Sequence, residues 1–198
     1  MYVLATNNPG KAREWQAIFK AAGLELKSLH DLKLEMPPPD ETGGTFEANS
    51  RIKATVTADF LRDNGHKDVT VLADDSGLEI DAMNGAPGVD SALFLGADTP
   101  YEVRISSILK ELANTPHRER SARFVCVITA VLPSGEILAT RGELEGFIAR
   151  DTKGENGFGY DPVFWVPEHE KHLAELTKEE KNKISHRGKA LEKMLELL

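Results

Sequence analysis

Two adjacent acidic residues, Asp74 and Asp75, constrain this chain more than any other feature of its sequence. An apolar run over residues 69–73 leads into them and Ser76-Gly77 follows, which predicts a strand, a turn, and a second strand over residues 78–82. Two buried carboxylates side by side repel each other and lose hydration, so they need a bound cation, a shared proton or contact with water. The pattern therefore fits either a solvated turn or the wall of a binding cleft.

A second turn, Gly85-Ala86-Pro87-Gly88, follows closely in the sequence. Proline restricts the backbone and glycine permits tight turns, so we expect this segment to be rigid. Two turns around paired acids favour the cleft wall over the solvated turn.

The composition of the chain limits the possible classes of protein. Its 198 residues, of which 40% are apolar, can bury a core and fit one large domain or two small lobes with no clean linker. The net charge of −8 argues against a sequence-independent nucleic-acid binder. The longest apolar runs are well short of the ~20 residues of a membrane-spanning helix. We expect a cytoplasmic protein, because the sequence shows no secretory signal and its single cysteine, Cys126, lies in an apolar run typical of a buried, unreactive thiol.

The loop Thr6-Asn7-Asn8-Pro9-Gly10-Lys11 lies between a predicted strand over residues 2–5 and a predicted helix over residues 12–22. This order places backbone N–H groups at a helix N-terminus, where they can bind phosphate. The loop is not a Walker A motif, because Ala5 and Ala12 occupy positions at which that motif requires glycine and serine or threonine. A phosphate-binding loop and a simple capped helix start both remain possible.

Glu41 lies between a proline run and two glycines, and is either a metal ligand or a surface acid. A helix is predicted over residues 45–64, with Lys53 about two turns from its start. Basic residues also cluster near the end of the chain, as a phosphate-binding group or a solvated helix face, at Lys178, Lys181, Lys183, His186, Arg187 and Lys189.

The loop over residues 154–162 combines three glycines with two aromatic residues, Phe158 and Tyr160. Such a backbone can approach a planar ligand closely while one of the aromatic rings stacks on it. Asp161 either accepts a hydrogen bond from a ligand ring N–H or only begins the turn before Pro162. Together with the acids and the cations, this loop favours a nucleotide bound with Mg²⁺.

The other patterns predict a mixed α/β chain. Thr99-Pro100-Tyr101-Glu102 is a capping box that predicts a helix to about Ala113, and Thr177 begins a second capping box. Strands are predicted over residues 121–132, 137–141, 142–149 and 163–166, the first three as an antiparallel meander. A helix ends the chain.

The ordered motifs resemble those of the inosine triphosphatase family, also called non-canonical purine NTP pyrophosphatases or XTP/dITP diphosphatases. The resemblance is collinear and extends from Thr6 to Arg187. The motifs are Thr6-x-Asn8-x-x-Lys11, Ala73-Asp74-Asp75-Ser76-Gly77-Leu78, Asn84-Gly85-Ala86-Pro87-Gly88, Gly157-Phe158-Gly159-Tyr160-Asp161-Pro162 and Ser185-His186-Arg187.

This resemblance implies a Mg²⁺-dependent hydrolase that removes ITP, dITP and XTP from the nucleotide pool, cleaving them between the α and β phosphates to a monophosphate and pyrophosphate. The implied fold is α/β, with an elongated mixed β-sheet flanked by helices and two lobes around a central nucleotide-binding cleft, in a single domain over residues 1–198. Members of the family are commonly homodimers, so a homodimer is expected.

The resemblance also implies roles for particular residues. Asp75 resembles the general base and a metal ligand, with Asp74 beside it, and Glu41 resembles the other metal-binding acid. The implied contacts with the substrate are Thr6, Asn7, Asn8, Pro9, Gly10, Lys11, Lys53 and Ser76 at the phosphates, and Phe158, Gly159, Tyr160, Asp161, Lys181, His186 and Arg187 at the purine.

The sequence departs from the family pattern at two places. The acid that usually precedes Asn49 directly stands one position early, at Glu47, and Leu93 replaces an arginine common after the Ala-Pro-Gly turn. Two other functions remain as alternatives: a Maf-like pyrophosphatase for pyrimidine or modified nucleotides, and a non-catalytic purine nucleotide sensor.

Overall fold

The computed structural model describes residues 1–6 and 8–198, apart from the side chain of Pro9. Within these residues, seven strands form one sheet in the order β2-β1-β3-β4-β5-β6-β7. β1 pairs in parallel with β2 and β3, whereas β6 pairs antiparallel with β5 and β7, so the predicted mixed sheet is confirmed. The strands are β1 (Tyr2–Leu4), β2 (Leu26–Ser28), β3 (Thr70–Ile80), β4 (Ser121–Val131), β5 (Ile137–Ile148), β6 (Phe164–Val166) and β7 (Lys171–His172).

Helices that alternate with the strands along the chain flank this sheet, as expected for an α/β fold. The Thr177 capping box is confirmed, because its hydroxyl accepts from the N–H of Glu180 while the Glu180 carboxylate accepts from the N–H of Thr177. The helices are α1 (Pro9–Ala21), α2 (Phe46–Asp63), α3 (Tyr101–Glu111), α4 (Lys178–Ile184) and α5 (His186–Leu197).

Three local predictions are wrong. No turn occurs at Ser76-Gly77, because β3 runs without interruption through both residues. The two strands predicted on either side of residue 142 are one strand, β5. Pro100, rather than Thr99, caps α3, and the Thr99 hydroxyl donates instead to the carbonyl of Leu95. In the two strands, a local signal is outweighed by pairing with more distant parts of the chain.

The chain forms two compact units that interleave along the sequence. The first unit contains Met1–Asp75, Cys126–Gly142 and Arg187–Leu198, and the second contains Ser76–Val125 and Glu143–His186. Each unit has its own apolar core: Trp15, Phe19 and Leu72 lie in a core of the first unit, and Ile108 and Phe164 in that of the second. Three of the boundaries fall inside β3, β4 and β5, and the fourth falls after His186, the first residue of α5.

Cys126 is buried in the first unit, as expected, and burial raises the pKa of its thiol to about 12. Its Sγ lies 3.9 Å from a carboxylate oxygen of Asp74. Among the described residues, every helix is too short or too polar to cross a bilayer.

The buried guanidinium of Arg120 links the segment after α3 to the end of β5 in the second unit. Its guanidinium donates to the carbonyls of Leu112, Ile148 and Ala149 at distances of 2.6 to 2.8 Å. These carbonyls belong to the end of α3, the end of β5 and the residue that follows β5. The side chain thereby supplies donors to three buried carbonyls, of which that of Leu112 also accepts from the N–H of Thr115.

We predict that Arg120→Leu destabilises the protein, because it removes a hydrogen-bond donor from three buried carbonyls, at about 1–3 kcal/mol for each one that is left unpaired. Urea unfolding followed by circular dichroism measures the change. The control is Arg118→Leu, since the Arg118 side chain is 84% exposed and its surface pair with Glu119 contributes little. Equal unfolding midpoints for the two variants would contradict this role of Arg120.

Candidate active site

Because β3 is continuous, the side chains of Asp74 and Asp75 point in opposite directions. Successive side chains of a strand point to opposite faces, so Asp74 and Asp75 make contacts on different sides of the sheet. Both are buried, at 2% and 5% exposure. The paired acids therefore do not form a solvated turn, and each has its own set of cationic partners in the first unit.

Asp74 lies among cations from the first and last helices of the chain. One carboxylate oxygen is 2.8 Å from Lys11 Nζ in α1 and 3.6 Å from Arg187 Nε in α5. Arg187 also pairs with Glu14 of α1. Burial alone would raise the pKa of Asp74, but Lys11 and Arg187 outweigh that effect and hold the pKa well below its usual range. Asp74 is consequently an ionised counter-charge rather than a proton acceptor.

Asp75 contacts residues of α2 and of the loop before it. Its Oδ1 is 2.9 Å from Lys53 Nζ, which is also 3.1 Å from an oxygen of Glu41. Its Oδ2 accepts from the side-chain amide of Asn49 at 3.3 Å. Burial raises the pKa of Asp75 above its usual value despite the opposing effect of Lys53, and nearby Glu41 acts in the same direction as burial. Of the two acids, Asp75 is the one suited to accept a proton.

The site has the chemistry of a cation-binding site. Among the described residues, no three acids, histidines or cysteines come close enough together to form a complete ligand set. Two carboxylates, those of Asp75 and Glu41, nevertheless converge on one cationic atom, Lys53 Nζ. Carboxylate oxygens are the ligands that Mg²⁺ prefers, so Asp75 and Glu41 fit a magnesium ion. Asp74 faces Lys11 and Arg187.

The loop before α1 is organised by its own side chains. The Asn8 side-chain oxygen caps α1 by accepting from the N–H groups of Gly10 and Lys11, at 2.8 and 3.1 Å. The Thr6 hydroxyl accepts from the N–H of Asn8. The capped helix start is present, and it directs Lys11 toward Asp74. Of the remaining predicted contacts, Asn7 and the side chain of Pro9 lie outside the described residues.

The glycine-aromatic loop of the second unit, residues 154–162, is held by contacts of Asp161 and Lys181. Asp161 is buried, and its Oδ2 accepts from the N–H of Phe158 at 2.8 Å and from Lys181 Nζ at 2.6 Å. Lys181 Nζ also lies 4.6 Å from the centre of the Phe158 ring. Gly157 is required there, because a Cβ would fall 2.0 Å from Asp161 Oδ2. Asp161 therefore does more than begin a turn: it positions Lys181 and the backbone of Phe158.

The other predicted substrate contacts are partly or fully buried. Tyr160 is buried, and its hydroxyl donates to the carbonyl of Ser91 at 2.9 Å. His186 is also buried and stacks on Phe124, with 4.9 Å between the ring centres. Gly159 and Ser76 are partly buried. Phe158, Tyr160, Asp161, Lys181 and His186 all belong to the second unit, whereas Arg187 belongs to the first.

Comparison with known proteins identifies the family. The model of the Ham1 family matches residues 2–197. The chain belongs to the Ham1 family. A dITP/XTP pyrophosphatase of Exiguobacterium sibiricum is 47% identical over 97% of this chain and 93% of that protein, and one of Bacillus cereus is 45% identical over 98% and 92%. The solved Ham1 protein of Staphylococcus aureus is 40% identical, covers 98% of this chain and 95% of its own, and has a TM-score of 0.83. The resemblance drawn from the motifs is confirmed.

The two departures from the Ham1 pattern are explained differently. Glu47 forms an ion pair with Arg141 at 2.7 Å, so the early acid is a surface partner of β5. Leu93 is 59% exposed, and nothing in the structure explains the replacement.

Two contact residues escaped the motif analysis. Glu14 holds Arg187, and Asn49 holds Asp75. Glu14 stands three positions after Lys11, where a helix brings side chains to one face, so helical spacing could have indicated it. Asn49 stands four positions before Lys53 and could have been found in the same way.

We predict that Tyr160 of this Ham1 protein ionises late. Burial raises the pKa of Tyr160 to about 12, above the ~10 of a tyrosine in an unfolded chain. The protonated hydroxyl therefore stabilises the folded state fully below pH ~10, and this stabilisation is lost as the pH rises through about 12. Titration of the phenolate ultraviolet absorbance should show one late component that is absent in Tyr160→Phe. If the variant keeps that component, the assignment to Tyr160 is wrong.

Proposed function

We propose that this Ham1 protein is a Mg²⁺-dependent nucleoside triphosphate pyrophosphatase that acts on dITP, ITP and XTP. It hydrolyses the bond between the α and β phosphates and releases the nucleoside monophosphate and pyrophosphate. The names of its relatives support the substrate class, since those proteins are called dITP/XTP pyrophosphatases. Such an activity cleanses the nucleotide pool, and we propose a cytoplasmic location and a homodimeric state.

One observation carries the proposal for the reacting end. Asp75 and Glu41 approach a single cationic atom, Lys53 Nζ, at 2.9 and 3.1 Å. Such an arrangement is suited to a charged, metal-bound phosphate, because it combines acids for the metal with an ammonium for phosphate oxygens. Bound there, Mg²⁺ would neutralise phosphate charge and lower the pKa of its water ligand. We assign it to Asp75 and Glu41, whereas Asp74, on the other face of β3, balances the charge of Lys11 and Arg187.

Asp75 acts as the general base in this proposal. The carboxylate takes a proton from the attacking water, the water oxygen bonds to the α phosphorus, and the bond to the bridging oxygen breaks as pyrophosphate leaves. A base with a raised pKa holds the transferred proton better than one at the usual value of an aspartate. Lys11 and Lys53 stabilise the negative charge that builds on the leaving group. Thr6, Asn7, Asn8, Pro9, Gly10 and Ser76 complete the phosphate contacts.

The second unit supplies the purine contacts. Phe158 provides a face for stacking, and Lys181 lies at that ring with its other contact on Asp161. Lysine, histidine and arginine donate hydrogen bonds, which suits the oxygen at position six of hypoxanthine and xanthine. The amino group of adenine would face these donors unpaired, at a cost of about 1–3 kcal/mol for each buried group. Gly159, Tyr160 and His186 complete this set, and Arg187 of the first unit is a further proposed purine contact.

Purified protein tested with Mg²⁺ and a panel of ITP, XTP, dITP, ATP, GTP and UTP decides between this function and its alternatives. We expect pyrophosphate from ITP, dITP and XTP and little reaction with ATP. Preference for UTP would indicate a Maf-like enzyme, and tight binding of ITP without turnover would indicate a nucleotide sensor. Release of orthophosphate would contradict the proposed bond.

We predict that Asp75→Asn lowers kcat for ITP by about 10²-fold or more, because the amide cannot take the proton from water. Binding of ITP, measured by calorimetry, should remain detectable. The matched control is Asp81→Asn, since Asp81 follows the same strand but is exposed and pairs with Arg123. Near-normal turnover by Asp75→Asn would remove Asp75 from the mechanism.

We predict that Phe158→Ala raises KM for ITP by about 5- to 100-fold, the loss expected for one stacking contact. The value of kcat should change less, because the acids and cations of the first unit are untouched. Steady-state kinetics with ITP separates the two constants. An unchanged KM would show that the ring does not contact the base.

A further inference from the structure

Asn49 occupies a position that the proposed mechanism has not used. It lies in the first turn of α2 and is 3% exposed. Its side-chain oxygen accepts from the backbone N–H of Gly43 at 2.9 Å, and its amide nitrogen donates to Asp75 Oδ2 at 3.3 Å. The orientation is chemically determined, because an amide oxygen must face the N–H and an amide nitrogen must face the carboxylate. One buried side chain thus bridges the loop that carries Glu41 and the proposed general base.

The loop approaches α2 very closely at this point. A Cβ on Gly43 would lie 2.4 Å from the Cβ of Ala48 and 2.9 Å from the side-chain oxygen of Asn49. Glycine at position 43 therefore permits the loop to reach Asn49. The early position of the acid contributes as well, because it leaves the small Ala48 directly before Asn49, while Glu47 pairs with Arg141.

Two connections therefore run between Asp75 and the Glu41 loop, one through each carboxylate oxygen. Lys53 joins Asp75 Oδ1 to the Glu41 carboxylate by charge, and Asn49 joins Asp75 Oδ2 to the Gly43 backbone by hydrogen bonds. A carboxylate held at both oxygens cannot rotate freely. Each oxygen keeps a second lone-pair direction for a water proton or a metal.

We propose that Asn49 is a positioning residue that fixes the rotation of the Asp75 carboxylate and holds the Glu41 loop against α2. The catalytic consequence rests on the proposed function, whereas the structural tie does not. A general base and a metal ligand must keep their relative placement within a fraction of an ångström for efficient attack on phosphorus. Asn49 supplies that restraint without touching the substrate.

The test compares Asn49→Ala, Asn49→Asp and a matched control, Ser50→Ala, in the full-length protein. Ser50 is the next residue, is equally buried, and bonds to Thr129 rather than to the Glu41 loop. We expect Asn49→Ala to lower kcat for ITP by about 10- to 100-fold with a change in KM of less than about threefold, because the base is misplaced while the substrate contacts remain. Ser50→Ala should stay within about twofold of the unmodified protein in kcat.

Amide hydrogen exchange of the Gly43 segment, measured without nucleotide or metal, gives a readout independent of activity. We expect faster exchange in Asn49→Ala and unchanged exchange in Ser50→Ala. Asn49→Asp keeps an acceptor for the Gly43 N–H but loses the donor to Asp75, so it should exchange more slowly than Asn49→Ala while turnover remains low. This variant also tests the inference if Asn49→Ala does not fold.

The outcomes separate this inference from the proposed function. If the unmodified protein turns over ITP and Asn49→Ala matches Ser50→Ala in kcat and in exchange, the positioning role is refuted. If the unmodified protein does not release pyrophosphate from ITP, the proposed function fails, and the exchange data still decide whether Asn49 holds the loop.

Discussion

The first unit depends on keeping two neighbouring buried carboxylates ionised. Desolvation of an unpaired carboxylate costs several kcal/mol, so Asp74 and Asp75 can both carry charge only with cations at hand. Because their side chains point to opposite faces of β3, the two acids have different cationic partners. Asp74 contacts Lys11 and Arg187, and Asp75 contacts Lys53. Two of these cations, Lys11 and Lys53, are also the groups that we propose bind the triphosphate. Stability of the site and its proposed chemistry therefore have one physical origin.

The two acids differ because their surroundings differ. At Asp74 the nearby cations outweigh burial and lower the pKa, whereas at Asp75 burial dominates and raises the pKa. Pairs of titratable groups whose surroundings move their pKa values apart are typical of sites that assign one acid to charge balance and the other to proton transfer. An acid of the second unit also has two partners: Asp161 neutralises Lys181 and accepts a hydrogen bond from the backbone of Phe158.

The sequence predicted most of the fold and the identity of the family, but not the contacts of the acids. Among the described residues, helix patterns and apolar runs located α1 to α5 and strands β1, β3, β4, β5 and β6, and the motifs selected the candidate site residues. The turn expected at Ser76-Gly77 was wrong because turn propensity is local, whereas pairing within a long strand is not. For the same reason neither the contact of Arg187 with Asp74 nor that of Asn49 with Asp75 follows from any local pattern.

In the proposed reaction, the acids and cations around Asp75 direct water to the α phosphorus, so that pyrophosphate is the leaving group. Hydrolysis of ITP in water enriched in heavy oxygen, with mass analysis of both products, tests this claim most directly. We expect the label to enter the nucleoside monophosphate and the pyrophosphate to be unlabelled. Label in pyrophosphate or in orthophosphate would contradict it, because the attack would then fall on another phosphorus.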